Sequence, residues 1–364
     1  MTIAGPTIRL SPATPADDRH ERIVIHQDPR TGLRFIVAIH STVLGPALGG
    51  MRLKRYAGGL SEALDDVMGL ARTMTLKASA AGLDLGGGKA VMIDDGDADL
   101  RLARLETAAG VIDGLEGAYI TAEDIGTTTA DMDHMAGFTR FCVGRSIENG
   151  GGGDPSPVTA ETVLAAMRRG LAAQFGSEEL DGRRVGLIGL GKVGGALAVR
   201  LAGAGARVVA YDLDDGRCER FAAEHGVEAA SSAEAILAME LDVLAPCAGG
   251  GLIDEALARS IGARVVAGAA NNPLANRGVA RTLMERDILY VPDFLANCGG
   301  LIHVAGEWLG DGGGDVESAR IEHAMERLDD AIATSAAEGA TALEVAERQA
   351  LERVDAARRS PALR

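Results

Sequence analysis

Two lysines stand in the stretch TLKASAAGLDLGGGKAVMI, residues 75–93. Lys77 ends a helical pattern. Lys89 follows three glycines and opens the apolar run AVMI, which reads as a buried strand. Two ammonium groups crowded into a partly dry site cannot both keep ordinary proton affinity, because like charge and desolvation each disfavour the protonated form. One could remain a neutral amine and act as a general base. The other could hold an anion such as a carboxylate. The glycines before Lys89 permit positive φ and let a ligand approach the backbone closely. A helix-end lysine is more often solvated or set against the helix C-terminus, so the pair gains weight only from its surroundings.

Asp124 is a third candidate. The spacing predicts a short strand over 118–121, running out into Glu123 and Asp124. A carboxylate there can do acid–base work, or it can cap a helix, with Thr127 to Thr129 close by. In GPALGGMR, residues 45–52, the Gly49-Gly50 pair reads as a loop whose N–H groups could face a ligand, or as a plain tight turn.

The second half holds a nucleotide-type signal. A strand is expected over 185–188, then the loop Gly189-Leu190-Gly191-Lys192-Val193-Gly194, then a helix opening at Gly195, then a strand over 207–211. Asp212 ends that strand, 23 residues after Gly189 (212 − 189). A bare GxGxxG is weak, but here strand, helix and distal acid all fit the dinucleotide fingerprint. The helix N-terminus offers N–H groups and a positive dipole end to a pyrophosphate. Asp212 would accept hydrogen bonds from ribose hydroxyls and repel a 2′-phosphate, which favours NAD over NADP. Further strands over 242–246, 264–268 and 289–291 end in loops where ligands bind in such sheets. Asn271, Asn272 and Asn297 in those loops are candidate amide contacts to nicotinamide or substrate, although Asn is also common in ordinary turns.

These residues need an α/β scaffold of two domains. The chain has 364 residues, enough for two domains of roughly 150 each. The 47% apolar fraction supports real cores. Residues 1–20 are polar and expected to be loosely ordered. A hairpin follows, with strands over 22–26 and 33–40 around DPRTG. Ser61 is expected to cap the helix that delivers Lys77, and a helix is expected over 100–115. The Gly/Pro-rich segment 144–160 marks the boundary. This places a substrate domain at 1–155 and a Rossmann-type doubly wound domain at 156–329. Helices from about 330 to 364 are expected to pack back on the first domain.

Composition excludes several function classes. The net charge of −16 argues against a nucleic-acid partner. No apolar run is long enough to span a bilayer. The N-terminus lacks a basic stretch followed by an apolar one, so no secretory signal is expected. Cys142, Cys218, Cys247 and Cys298 show neither metal-type spacing nor a disulfide framework, and the histidines are scattered, so no metal site is expected. Free thiols suit a reducing cytoplasm.

The stretches GPALGGMR, MTLKASAAGLDLGGGKAV, TAEDIGTTTADMD, GRSIENGGGGD, GLGKVGG, LAPCAGGG, VAGAANN and PDFLANCGGLIHV occur in order over about residues 35–305. In these the chain resembles the leucine, valine and phenylalanine dehydrogenases of the glutamate dehydrogenase-like superfamily. The resemblance implies an N-terminal substrate and oligomerisation domain, a homo-oligomer, and reversible NAD-dependent oxidative deamination of an L-amino acid. It further implies that Lys77 binds the substrate carboxylate, Lys89 is catalytic, Asp124 assists proton transfer at the amino group, Gly49 and Gly50 line the substrate site, and Thr159 faces the nicotinamide carboxamide. Leu48, and Ala122 in TAED, resemble the branched-chain members. Leu295 and the LIHVAG run resemble the phenylalanine enzymes. A bulky Leu48 should shrink the pocket, so aliphatic substrates are expected, with phenylalanine as the alternative. Gly306 and Cys298 depart from the branched-chain pattern, where an acid and an alanine are usual.

Two rival readings make different demands. A non-catalytic NAD-binding homologue predicts a degraded lysine pair, whereas both lysines and Asp124 are present. A hydroxy-acid dehydrogenase needs a histidine partnered by a carboxylate in the nucleotide-binding half, and neither His225 nor His303 is convincingly placed for it.

Overall fold

The computed structural model describes residues 19–360. The expectation for the N-terminal tail therefore lies almost wholly outside the described residues. The chain divides into two compact units. One takes the residues up to Asp154, with Leu301–Glu317 and the chain from Ala350 onward; the other takes Pro155–Gly300 and Ser318–Gln349. The return of the C-terminal chain to the first unit thus falls at Ala350, later than expected, and an additional segment before it also belongs there.

The first unit is built on a five-stranded sheet of β1 (Arg22–Asp28), β2 (Leu33–Ser41), β3 (Ala47–Lys54), β4 (Gly86–Ile93) and β5 (Tyr119–Glu123), in the order β1-β2-β4-β3-β5. The hairpin forms as read, β1 pairing antiparallel with β2. Asp28 ties its turn by accepting from the N–H of Arg30 and the hydroxyl of Thr31. β4 runs parallel to β3, and β3 parallel to β5. Period-2 alternation gives the sheet two apolar faces. Ile36, Ala38, Val91 and Ile93 pack with Ala63, Val67 and Ala71 of α1 (Gly59–Ala80). Phe35, Val37, Ala90 and Met92 pack on the other side with α2 (Arg101–Asp113) and α3 (Thr129–Met135).

Three local readings need correction. Gly49-Gly50 is not a loop but lies inside β3, and the glycines before Lys89 lie inside β4 without positive φ. Their smallness serves close packing of protein on protein. A Cβ on Gly49 would sit 1.8 Å from the Gly88 carbonyl oxygen, on Gly86 2.0 Å from that of Ser41, and on Gly87 2.0 Å from the Thr75 amide nitrogen. Ser61 is likewise not a cap. The helix starts two residues earlier at Gly59, where a positive φ of 64° suits glycine, and Glu62 accepts from the Gly58 N–H.

The second unit holds a six-stranded parallel sheet of β6 (Arg184–Ile188), β7 (Arg207–Tyr211), β8 (Glu228–Ala229), β9 (Glu240–Pro246), β10 (Gly262–Val266) and β11 (Leu289–Tyr290). Read from one edge the order is β8-β7-β6-β9-β10-β11, the doubly wound arrangement with its switch point beside β6. α4 (Ser156–Phe175) leads into the unit, with Pro155 before its first turn and Gly176 in the left-handed region at its end. α5 (Lys192–Gly203) follows β6 directly.

Candidate active site

Lys89 lies on β4 between Gly88 and Ala90, and alternation puts it on the same side as Val91 and Ile93, which pack against α1. Its ammonium nitrogen stands 3.2 Å from Asp124 Oδ2, with side-chain exposures of 7% and 16%. Asp124 directly follows β5. It is not a helix cap: Thr128 caps α3 in a reciprocal box with Asp131. Thr127 Oγ1 instead accepts from the Asp124 N–H and donates to the Met51 carbonyl, fixing the turn that presents the carboxylate.

A further residue joins them. Arg52, on β3, donates from Nε to the same Asp124 Oδ2 at 2.8 Å. It also donates from Nη1 to both oxygens of Asp66 on α1, at 3.0 and 3.3 Å. The Tyr56 hydroxyl donates to Asp66 Oδ2 at 2.7 Å. The motif GPALGGMR carried Arg52 in plain view. Reading its glycine pair as a loop hid the point, because only a strand over these residues places Arg52 beside Asp124.

The electrostatics follow from burial. Desolvation is the largest cause that lowers the proton affinity of Lys89; Asp124 opposes it and Arg52 reinforces it. Arg52 is therefore the like charge among the leading causes, in the role expected of Lys77. For Asp124, burial works to raise its pKa, yet Lys89 and Arg52 together hold it below the usual carboxylate range. The site thus contains a buried amine biased toward neutrality beside a committed carboxylate. That combination suits proton transfer at a carbon–nitrogen centre. Lys77 lies buried in the last turn of α1.

Leu48 and Leu295 are both buried, on β3 and on the single turn Asp293–Ala296. Asn272 takes a positive φ of 49°, and its N–H donates to Asp293 Oδ2.

The second unit fits a dinucleotide. Gly189 turns the chain at φ 105°. A Cβ on Gly194 would meet the Gly189 carbonyl oxygen at 1.9 Å, whereas one on Gly191 would meet nothing within 4 Å. The loop is therefore tight on its inner side and open where a pyrophosphate would approach. Lys192 is exposed at the opening of α5, followed by Val193, with Gly195 close against Phe221. Asp212 directly follows β7, where Oδ2 accepts from the Leu190 N–H at 2.7 Å and Oδ1 from the Asp214 N–H at 3.0 Å. Arg217 approaches it to 3.4 Å. Asn297 is buried, and its Nδ2 donates to Ala269 O and Asn271 Oδ1. Its Oδ1 is buried with no partner, the state of an acceptor awaiting a donor such as a carboxamide. Thr159 Oγ1 donates to Pro155 O and keeps its acceptor side. A Cβ on Gly300 would come within 2.7 Å of that oxygen.

His303 gives the hydroxy-acid reading no support. His303 does have a carboxylate partner, Glu317 at 2.7 Å from Nδ1. However, its Nε2 faces the Gly152 carbonyl at 2.9 Å, leaving no ring nitrogen for a substrate, and the residue belongs to the first unit. Among the described residues all four cysteines are free, no cluster could hold a metal ion, and no helix is long and apolar enough to cross a membrane.

Residues 20–141 match the Glu/Leu/Phe/Val dehydrogenase dimerisation domain, and residues 211–360 match the Glutamate/Leucine/Phenylalanine/Valine dehydrogenase domain. Residues 160–247 also match the NAD binding domain of D-isomer specific 2-hydroxyacid dehydrogenases. The chain is 46% identical to a valine dehydrogenase of Streptomyces virginiae, over 80% of this chain and 82% of that one. It is 39% identical to a leucine dehydrogenase of Geobacillus stearothermophilus, over 94% of each. The solved L-tryptophan dehydrogenase of Nostoc punctiforme superposes with a TM-score of 0.79 at 30% identity, covering 94% of this chain and 98% of that chain.

Proposed function

Because the chain belongs to the Glu/Leu/Phe/Val dehydrogenase family, we propose that Lys77, Lys89 and Asp124 carry out its chemistry in the first unit, while the glycine loop and Asp212 of the second hold the nucleotide. The protein is an NAD-dependent amino-acid dehydrogenase acting on the CH–NH2 group. Its reaction is the reversible oxidative deamination of a branched-chain L-amino acid to the 2-oxo acid and ammonia.

Lys77 fixes the substrate carboxylate. Asp124 accepts a proton from the substrate ammonium, so that the nitrogen lone pair can drive loss of hydride from Cα. NAD, when bound, accepts that hydride. Lys89, its proton affinity lowered by burial and by Arg52, acts in its neutral form and takes a proton from water as the water attacks the substrate iminium. Asp124 then returns its proton to the nitrogen of the carbinolamine, and Lys89, having released its first proton to solvent, takes the hydroxyl proton as the C–N bond breaks and ammonia leaves. Each acid–base group contributes about 10²–10⁴-fold. In the second unit, Gly189, Leu190, Gly191, Lys192, Val193, Gly194 and Gly195 cradle the pyrophosphate. Asp212 takes the ribose hydroxyls, and Thr159, Asn271 and Asn297 take the nicotinamide end. In the first unit Leu48, Gly49 and Gly50 bound the substrate. We place the enzyme in the cytoplasm as a homo-oligomer, a reading supported by its free thiols and by the match to a dimerisation domain.

The observation that carries this reading is the buried Lys89–Asp124 pair at 3.2 Å. The test is NAD reduction, followed spectrophotometrically, with leucine, valine, isoleucine, phenylalanine and glutamate in turn. Highest kcat/KM on an aliphatic substrate is the expected result; a clear preference for phenylalanine would overturn the assignment of Leu48 as the pocket wall.

A further inference from the structure

We propose that Arg52 is a positioning residue that sets the protonation of the catalytic pair by sharing one carboxylate oxygen with Lys89. Arg52 Nε at 2.8 Å and Lys89 Nζ at 3.2 Å converge on Asp124 Oδ2. Two cations on one oxygen repel each other, and only one of them can yield. A guanidinium does not lose its proton in proteins, whereas an ammonium does so readily when buried. Arg52 is fixed besides: it is 8% exposed and its far end is held by both oxygens of Asp66. Tyr56 pins Asp66 in turn, and burial pushes the Tyr56 phenol up, so it remains a donor. The arrangement leads from α1 through Asp66 and Arg52 to Asp124 and ends on Lys89.

Besides Arg52, Asp66, Lys89 and Asp124, the elements packed here carry Arg34 and His40 of β2, Lys54 of β3, Tyr56, Glu62, Asp65, Arg72 and Lys77 on and before α1, and Tyr119 and Glu123 of β5; the charges that act most on Lys89 are Asp124, Arg52 and Asp66. Glu123 is engaged by the Thr129 hydroxyl, and Lys77 is assigned to the substrate. Arg52 and Asp66 remain as the pair whose charges act on Lys89 in opposite directions. That opposition separates an electrostatic role from a merely structural one, which would give losses without direction.

The inference rests on Lys89 being the base, and the experiment separates the two ideas. Arg52→Gln removes the competing cation. The ammonium of Lys89 is then favoured, and the pH at which its neutral amine appears should rise by about one unit or more. Asp66→Asn removes an anion and keeps the cation, so the same limb should move to lower pH. Arg52→Lys should restore the parent limb in part. The readouts are the acid limb of kcat/KM and, without cofactor, the pH dependence of Lys89 acetylation by acetic anhydride, followed by peptide mass spectrometry. Opposite shifts in the acetylation limb support the proposal; shifts of the same sign, or none, overturn it. If Arg52→Gln does not fold, Asp66→Asn decides alone, and a limb that stays or rises overturns the proposal. Acetylation limbs that move while the kcat/KM limb stays still would uphold the role of Arg52 and refute Lys89 as the base.

Discussion

Replacing Gly49 by alanine tests whether strand spacing positions the catalytic lysine. The new Cβ would lie 1.8 Å from the carbonyl oxygen of Gly88 and 3.3 Å from Met74 Cγ. Atoms of this kind do not approach closer than about 3.0 Å, so β3 and β4 must separate locally by about 1.2 Å (3.0 − 1.8). Gly88 is the residue before Lys89, and Asp124 is reached through β3 by way of Arg52 and the Met51 carbonyl. The displacement is therefore delivered to the 3.2 Å ion pair itself. A misplacement of about 1 Å can cost about 10²-fold in rate, and that is the expected fall in kcat for NAD reduction with a branched-chain amino acid. The same substitution at Gly69 is the control. That glycine lies within α1, and a methyl group added there would meet nothing within 4 Å, so alanine should leave kcat unchanged and stabilise by about 0.5–1 kcal/mol. If Gly49→Ala kept kcat within twofold, or raised only KM, close strand contact would not be what positions Lys89.

Lys89→Ala should lower kcat by about 10²–10⁴-fold. Its unfolding temperature should fall less than that of Asp124→Asn, since Asp124 keeps Arg52 as partner and is not left as an unpaired buried charge. Asp124→Asn should lower kcat over the same range and also destabilise. The folded pKa of Asp124 lies below its ordinary value of 3.8, so the stability it contributes is present above that value and lost as pH falls through the lower one. The melting difference from the parent should thus be largest near neutrality and close in acid. Asp212→Ser removes the carboxylate that accepts from Leu190 and Asp214 and frees Arg217. The kcat/KM ratio of NADP to NAD should rise at least about tenfold, one charge-assisted hydrogen bond being worth ~1.5–3 kcal/mol; an unchanged ratio would remove Asp212 from cofactor choice.

The sequence was most legible where one local signal controls geometry. The stretch from Arg184 to Asp212 forms strand, loop, helix and strand close to expectation, the helix opening at Lys192 within the loop motif itself, because the glycine loop, the apolar strands and the distal acid all depend on neighbours in the chain. Lys89 and Asp124 were legible as types, but their meeting depends on β3 lying between β4 and β5, which no local pattern states. Gly49, Gly50 and Gly86 to Gly88 misled for a related reason. Glycine signals either a turn or a close approach, and only the partner across the sheet distinguishes the two. Arg52 was missed because an arginine after a glycine pair reads as a loop residue until the strand carries it inward.

The charge count of this cluster leads to one more expectation. Arg52 and Lys89 carry two positive charges when protonated, and Asp66 and Asp124 carry two negative ones, so the four side chains are balanced only while Lys89 holds its proton. Once Lys89 is neutral, a net negative charge remains in a buried site, and the opposite charge best suited to it is the ammonium of an amino-acid substrate. Lys89's proton and the substrate's ammonium therefore compete for one place. Binding of the amino acid should release a proton from the enzyme at pH values where Lys89 is still protonated, and binding of a 2-oxo acid, which brings no ammonium, should release none. Titration calorimetry of the NADH-loaded enzyme in two buffers of different ionisation enthalpy measures this directly. The proton count should be lost in Lys89→Met; a count that survives that substitution would show that the released proton comes from elsewhere and that the cluster does not exchange one cation for another.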